Sequence, residues 1–205
     1  RWLATCQPGK PLVLHYEVYA CDASVRTAWL DAARGFFNAT SLCLRAEGHT
    51  EQPCTIDIVA PEKIADSAQW SCATALFPLK VDRRGFGRYR AAAYDTLADC
   101  PVEMGTFWSA RFTAGGVAHR FVVAGAAASF DGKRLLADTR KICEAAMRLW
   151  HGEGKPPFKN YLFMLNVVHD GYGGLEHRNS TALICARRDL PRTTTPAVGE
   201  GYTTL

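Results

Sequence analysis

The stretch GYGGLEHRNS, residues 171–180, carries the most suggestive chemistry of the chain, because it places Glu176 and His177 shortly after a pair of glycines. Glycine lacks a Cβ atom, so Gly173 and Gly174 let a second backbone approach closely. Beyond them, Glu176 would present a carboxylate beside an extended ligand. A carboxylate in that place suits a cationic group such as the free amine of a peptide. The simpler alternative, which the residues alone favour, is a hairpin turn with solvated charged side chains.

Other familiar kinds of catalytic site do not appear in the sequence. The six histidines form no H-x-x-x-H pair and the eight cysteines no C-x-x-C pair, so neither a zinc helix nor a zinc knot is predicted. Ser180 lacks the G-x-S-x-G pattern of a serine nucleophile, and GYGG lacks the lysine and following helix that hold a phosphate. We therefore predict no catalytic residue and no metal ligand here. We expect the cysteines to be reduced and to act as small apolar residues, with a disulfide pair as the alternative.

Composition is that of a soluble globular protein, with 48% hydrophobic and 21% charged residues among 205. The longest apolar run, 122–128, is far shorter than the roughly 20 residues that a membrane helix needs. A basic stretch at 80–90 interleaves lysine and arginine with Phe86 and Tyr89, a pattern that can follow a nucleic-acid backbone. No nucleic-acid fold signature accompanies it, so we expect a solvated connector and neither a nucleic-acid nor a membrane partner.

Hydrophobic patterning divides the chain near residue 97. In the first part, residues 1–97, three alternating segments predict short strands without an intervening amphipathic helix. They are PLVLHYEVYA at 11–20, SLCLRA at 41–46 and TIDIVAP at 55–61. Such strands indicate an antiparallel sandwich or meander.

The second part, residues 98–205, contains mixed elements. Two apolar segments joined by the AGG sequence at 114–116 predict a β-hairpin. Apolar residues that recur at spacings of three and four predict a helix over about 133–151. The runs YLFMLNVV and STALICAR predict strands on either side of the glycine-rich stretch. The whole chain is therefore predicted to be an α+β protein.

Three segments, in their order and spacing, resemble the glycyl aminopeptidase family of bacterial zinc metallopeptidases. They are YDTLADCPVEMGTF, PPFKNYLFMLNVV and GYGGLEHRNSTALICAR. The segment LHYEVYACDASVRTAWLDAARGFFNATSLCL is similar as well, so that the resemblance spans nearly the whole chain. It implies a gluzincin-type enzyme, in which a β-rich, sandwich-like N-terminal domain precedes a thermolysin-like catalytic domain.

The resemblance also implies what the chain lacks. In this family an H-E-x-x-H helix supplies zinc ligands and the general base, and it follows the glycine-rich motif after a short connector. The chain ends at Leu205, about where that helix should begin, so we expect a fragment without zinc or catalytic residues. Its partners would be a peptide substrate and the missing C-terminal catalytic half. The full-length enzyme would use zinc to remove glycine and alanine from peptide N-termini, and the fragment alone would be inactive.

The glycine-rich motif is similar in position to the G-A-M-E-N signature of related larger aminopeptidases, whose glutamate binds the substrate amine. On the matching positions, Gly173, Gly174 and Leu175 would line the peptide backbone. Glu176 would anchor the amine. His177 stands where that signature has asparagine, so its role is open, and a supporting hydrogen bond is our best interpretation.

Two further possibilities remain open. Glu103, in PVEMG, is a candidate for the amine site or for the pocket of the first side chain, although spacing does not show it. A function of another class is a non-catalytic β-rich module that binds peptide or polysaccharide through the 80–90 loop or the glycine-rich stretch. Such a module would explain the lack of a metal site without a missing half.

Overall fold

The structure is a computed structural model that describes residues 2–195 and 197–205. Twelve β-strands and four α-helices occur among these described residues. The strands are β1 Ala28–Leu30, β2 Arg34–Phe37, β3 Cys54–Ile58, β4 Ser71–Thr74, β5 Phe77–Val81, β6 Gly87–Ala91, β7 Val102–Gly105, β8 Phe107–Ala114, β9 Val117–Ala124, β10 Asn160–Val168, β11 Gly173–Glu176 and β12 Ser180–Ala186. The helices are α1 Ala39–Leu42, α2 Tyr94–Ala98, α3 Gly132–His151 and α4 Glu200–Thr204. The protein therefore has the α+β class that the sequence predicts.

The first half of the chain forms two antiparallel sheets that share one apolar core. One sheet has the strand order β1-β2-β7-β4, and the other has the order β3-β6-β5. Trp70, Tyr89 and Val102 are buried in the core between them. The β-rich, sandwich-like arrangement is therefore confirmed, and its last strand ends at Gly105. The division of the chain near residue 97 stays a prediction.

The predicted strand at 11–20 is wrong. These residues form no strand, and their apolar side chains are exposed, Val13 by 68% and Tyr19 by 92%. Alternation of apolar residues produces a strand only where a neighbouring strand offers hydrogen bonds. Among the described residues, its last residue Ala20 accepts a hydrogen bond of 3.0 Å from the Leu30 N–H of β1, but residues 11–19 have no backbone hydrogen bond to a strand.

The predicted strand at 41–46 is also wrong, because Asn38 caps the short helix α1 instead. The side-chain oxygen of Asn38 accepts hydrogen bonds from the Thr40 N–H at 3.2 Å and from the Thr40 hydroxyl at 2.8 Å. The Ser41 hydroxyl donates to the Asn38 carbonyl at 2.7 Å. These local bonds satisfy the backbone of a helical turn and outcompete an extended conformation. The third predicted strand of this half is confirmed as β3.

The second half of the chain is built on a five-stranded sheet with the order β11-β12-β10-β9-β8. Strands β8 and β9 form the predicted hairpin, and its turn residues Gly115 and Gly116 have φ angles of 54° and 75°, as a type I′ turn requires. Strand β10 lies parallel to both β9 and β12, and β11 returns antiparallel to β12. The strands predicted on either side of the glycine-rich stretch are thus confirmed as β10 and β12.

Helix α3 connects β9 to β10 and confirms the predicted helix. Asp131 caps its start by accepting a hydrogen bond from the Arg134 N–H at 3.0 Å, and Gly152, with a φ of 56°, ends it. Its first turns pack on the sheet, whereas Leu149 and Trp150 near its end are 77% and 78% exposed.

No helix in the described part of the chain is long and apolar enough to cross a membrane.

The four-stranded sheet lies between the other two sheets and buries an ion pair against the five-stranded one. On this face Ala73 and Phe36 pack against strands β9, β10 and β12. Glu103 is the cross-strand partner of both residues, so its carboxylate, 1% exposed, lies in the same interface. Arg34 donates one hydrogen bond of 2.7 Å to each carboxylate oxygen. The Arg34–Glu103 ion pair therefore lies in the interface between the two halves of the chain.

We expect Arg34→Ala to destabilise the protein by about 3 kcal/mol near pH 8, because the ionised Glu103 would be left buried without a counter-ion. Burial raises the pKa of Glu103 to about 7, against the opposing effect of Arg34, and removal of Arg34 raises it further. Near pH 5 the carboxyl holds a proton in the variant, so the loss of stability should be smaller there. Urea unfolding at both pH values measures the difference.

Arg88→Ala is the matched control for this experiment. Arg88 forms a pair of similar geometry with Asp57, at 2.9 Å, but the two side chains are 57% and 51% exposed. Its removal should change stability little at either pH, because solvent screens the pair. An equal loss for Arg34→Ala at both pH values would contradict the role of the buried carboxylate.

Candidate functional site

The glycine-rich stretch folds into an edge strand followed by a tight turn. Strand β11, from Gly173 to Glu176, pairs with β12 and is the last strand of the five-stranded sheet. An edge strand has a row of outward N–H and C=O groups that can pair with another extended chain. The His177 N–H then donates to the Ser180 carbonyl at 2.9 Å and closes the turn into β12. The stretch therefore offers both a backbone edge and a turn.

The two glycines of β11 have different surroundings. A Cβ atom at Gly173 would meet no described atom within 4 Å, so the space beside it is open. A Cβ atom at Gly174 would lie 3.1 Å from Leu183 Cδ2, which is closer than ordinary contact. Gly174 thus allows the strand to pack on β12, and Gly173 leaves clearance beside the strand.

Leu175 determines the direction in which Glu176 points. Leu175 packs against Val25, Phe36 and Ala182, which are buried between the sheets. Because successive side chains of a strand point to opposite faces, Glu176 points away from this cluster and is exposed.

Glu176 lines a cavity of about 400 Å³ at this edge of the sheet. Two further carboxylates contribute to its wall, Asp95 from α2 and Asp99 just beyond the helix, together with Arg26. Arg178 forms an ion pair with Asp95 and lies 4.0 Å from Asp99. The three carboxylates outnumber the two arginines, so the cavity favours a cationic group.

His177 is buried rather than solvated, with 5% of its side chain exposed. Its Nδ1 atom lies 3.2 Å from Oδ1 of Asp99, whose other oxygen accepts a hydrogen bond of 3.1 Å from the Arg178 N–H. Its Nε2 atom is buried without a hydrogen-bond partner among the described residues, as is the Ser180 hydroxyl. Asp99 thus fastens the turn that follows Glu176.

Asp95 and Asp99 are the residues of this site that sequence reasoning missed. Asp99 is 78 positions away from His177, so no local spacing connects the two. Asp95 also carries no signal of its own, because the helix dipole favours a carboxylate in the first turn of any helix.

Glu103 lies elsewhere, since Arg34 occupies both of its carboxylate oxygens between the sheets. It is not among the described residues that line the cavity of Glu176. A role for Glu103 in substrate binding therefore stays a prediction, and its observed contacts are those of a buried structural pair.

The basic stretch at 80–90 forms the β5–β6 hairpin, and its aromatic residues belong to the core. Phe86 and Tyr89 are 6% and 5% exposed, so they offer no stacking surface. Arg84 forms an ion pair with Asp82 in the same turn, and Arg88 forms one with Asp57 of the neighbouring strand β3. These contacts give the alternative function, a binding module that uses this loop, no specific support.

The cysteines and the acidic side chains do not assemble into a metal centre. All eight cysteines are free thiols, and burial raises the pKa of Cys72 and of Cys100 to about 12. Within residues 2–195 and 197–205, no three His, Cys, Asp or Glu side chains form a cluster that could hold a metal ion.

A sequence model of the Peptidase M61 N-terminal domain matches residues 1–106. The chain belongs to this family. The match covers both antiparallel sheets, since the last strand of the M61 domain ends at Gly105. The five-stranded sheet follows directly, beginning with β8 at Phe107.

Similarity to one solved structure extends beyond the M61 domain. An aminopeptidase N family protein from Idiomarina loihiensis is 42% identical with a TM-score of 0.83, and the alignment covers 91% of this chain but 31% of that protein. The M1 zinc metallopeptidase from Deinococcus radiodurans is 15% identical with a TM-score of 0.46 over 82% of this chain and 39% of that one, which is too weak to carry an argument. No curated protein matches the chain. The M61 chain thus spans about a third of its Idiomarina relative.

We expect Asp99→Ala to loosen the turn after β11, because it removes the partner of both the His177 ring and the Arg178 N–H. Hydrogen bonds to a charged group contribute about 1.5–3 kcal/mol each, so local opening should become markedly more frequent. Hydrogen exchange of the Arg178 amide measures this opening and should be faster in the variant.

Asp170→Ala is the control. Asp170 lies just before β11 and is an exposed carboxylate that forms an ion pair with Arg188. This substitution should leave the exchange rate of the Arg178 amide unchanged. If Asp99→Ala also leaves that rate unchanged, Asp99 does not fasten the turn.

Proposed function

We propose that the whole protein is a zinc aminopeptidase of the glycyl aminopeptidase kind, and that this chain supplies its substrate-binding edge. The observation that carries the proposal is Glu176, an exposed carboxylate at the end of an edge strand and on the wall of an acidic cavity. The aminopeptidase class of the Idiomarina relative supports the same reaction. The substrates would be peptides whose first residue is glycine or alanine.

In this proposal the substrate binds as an additional strand beside β11. Main-chain hydrogen bonds along an edge strand bind an extended peptide without regard to its sequence. The outer edge of β11 has no described neighbour and is available to this backbone. Leu175 holds the strand in place by packing against Val25 and Phe36, and the open space beside Gly173 lies on this same face. The N-terminus of the peptide would then lie near Glu176.

Glu176 and its neighbours would then select a free amine. The α-amino group of a peptide has a pKa of about 8 and is largely charged at neutral pH. Glu176 provides a direct counter-ion. Asp95 and Asp99 add negative charge nearby, which Arg178 and Arg26 offset in part. Fixing the amine at one point determines which peptide bond reaches the reactive groups.

The zinc ion implied by the family resemblance does not fit the residues of this chain. The described residues contain no cluster of metal-binding side chains. We propose that its ligands belong to the part of the whole protein that this chain does not span, since the chain corresponds to 31% of its Idiomarina relative. The chain alone would bind and orient a peptide without cleaving it.

An apolar surface on the second half of α3 is the proposed contact for the remaining catalytic half. Ile142, Leu149 and Trp150 are 66%, 77% and 78% exposed, although three such residues on one helix normally face a core. In this proposal the catalytic domain begins near residue 98 and its remainder packs here.

We expect Glu176→Ala, made in the full-length protein, to lower kcat/KM for alanine and glycine substrates on the order of 100-fold, because losing one partner of a desolvated charge pair costs about 2–5 kcal/mol. Glu176→Gln keeps a hydrogen-bond acceptor but loses the charge, so its kcat/KM should lie between those of the wild type and Glu176→Ala. Hydrolysis of alanine p-nitroanilide measures the effect, and zinc content should stay that of the wild type.

Glu153→Ala is the matched control, since Glu153 is an exposed carboxylate in the turn after α3. It should leave kcat/KM unchanged. Wild-type turnover by Glu176→Ala would remove the amine-binding role, and equal cleavage of an N-acetylated substrate by the wild type would remove the aminopeptidase proposal.

A further inference from the structure

A second and larger cavity, of about 950 Å³, has walls from both halves of the chain. One wall comes from β5 and β6 of the M61 domain. The other comes from the β8–β9 hairpin and from the connection that leads into β10. Its lining is rich in cations, namely Arg90, Arg111, Arg120 and Lys159 together with Arg178. We call this cavity the basic cleft.

Two of these arginines lie directly opposite each other on neighbouring strands. Arg111 of β8 is the cross-strand partner of Arg120 of β9. Like charges in such a position destabilise a sheet. The guanidinium of Arg120 is partly buried and donates to the Ser109 hydroxyl at 3.0 Å. Burial lowers the pKa of Arg120, and the charge of Arg111 lowers it further. The repulsion between the two guanidinium groups therefore lowers the stability of the folded hairpin.

Apart from Arg178, which forms an ion pair with Asp95, the cations that line the basic cleft lack the carboxylate partners that other arginines of the chain have. In the same β5–β6 hairpin, Arg84 pairs with Asp82 and Arg88 pairs with Asp57. Within the described residues, neither Arg90 nor Arg111 has an ion pair with a carboxylate. The same holds for Lys159 and Arg120.

The acidic group on the wall of the basic cleft does not compensate for these charges. Asp99 is a single carboxylate in the described lining and already lies 4.0 Å from Arg178, so it leaves Arg90, Arg111, Arg120 and Lys159 without a counter-ion. A concentration of uncompensated cations in a concave site raises the local concentration of anions.

We propose that the basic cleft is a binding site for a small polyvalent oxyanion, bearing either phosphate or carboxylate groups. Guanidinium groups donate paired hydrogen bonds to both kinds of oxyanion, and the opposed pair formed by Arg111 and Arg120 presents two such groups side by side. Arg90 and Lys159 add charge from the other walls, which favours an anion of more than one charge. The anion relieves the repulsion between the two guanidiniums.

Isothermal titration of the full-length protein with pyrophosphate and, separately, with citrate tests this site. Sodium chloride at matched ionic strength serves as the comparison for general charge screening. Saturable binding of one anion per chain is expected with at least one probe. Binding of pyrophosphate without binding of citrate would identify a phosphate ligand, and the reverse result would identify a polycarboxylate.

Arg111→Gln and Arg120→Gln should each weaken this binding about tenfold, the effect of losing one charged hydrogen bond. Arg83→Gln removes the same charge from an exposed position in the β5–β6 turn, outside the cleft lining, and should bind like the wild type. In anion-free buffer, Arg111→Gln should also unfold at a higher temperature than the wild type, because the repulsion is gone.

The proposal is overturned if neither probe binds saturably, or if Arg111→Gln and Arg120→Gln bind with wild-type affinity. It is independent of the aminopeptidase activity. Glu176→Ala should leave anion binding unchanged, so failure of one proposal does not imply failure of the other.

Discussion

The candidate site depends on the register between β11 and β12. A shift of one residue in a strand exchanges its two faces, so the side chain that is buried decides which one is exposed. Leu175 packs between the sheets against Val25 and Phe36, and this burial fixes the register. Glu176 is on the opposite face and is exposed, at the end of a strand whose outer edge is unpaired in the described sheet. The position of the carboxylate is thus a consequence of apolar packing one residue earlier.

The same interface brings the two halves of the chain together. The Arg34–Glu103 pair lies on the face of the four-stranded sheet that meets the five-stranded sheet. A buried pair adds little net stability over an apolar contact, but it is costly to break, so it favours one relative placement over others. That placement also lets Asp99, which follows α2 of the M61 domain, reach the turn after Glu176. Asp99 lines both the acidic cavity and the basic cleft.

The elements with strong local signals could be predicted from sequence, and those that depend on distant partners could not. Helix α3 has a capping aspartate, a regular apolar stripe and a terminating glycine, so its bounds follow from local chemistry. The segment 11–20 has an equally clear alternating pattern, yet it forms no strand because, among the described residues, no strand pairs with 11–19 and β1 contacts only its end at Ala20. Glu176 could be singled out because glycines precede it and a family resemblance covers it. Asp99 and Arg34 could not, since their roles arise only when segments about 70 to 80 positions apart meet.

The central claim is that an extended peptide binds along β11 with its amine at Glu176. A crystal structure of the full-length protein with a bound peptide beginning in alanine tests it most directly. The account predicts main-chain hydrogen bonds between the peptide and the outer edge of Gly173–Glu176, and an amine nitrogen within hydrogen-bond distance of the Glu176 carboxylate, about 2.7–3.2 Å. A peptide bound with its amine away from Glu176, or lying along a different edge of the protein, would contradict the account.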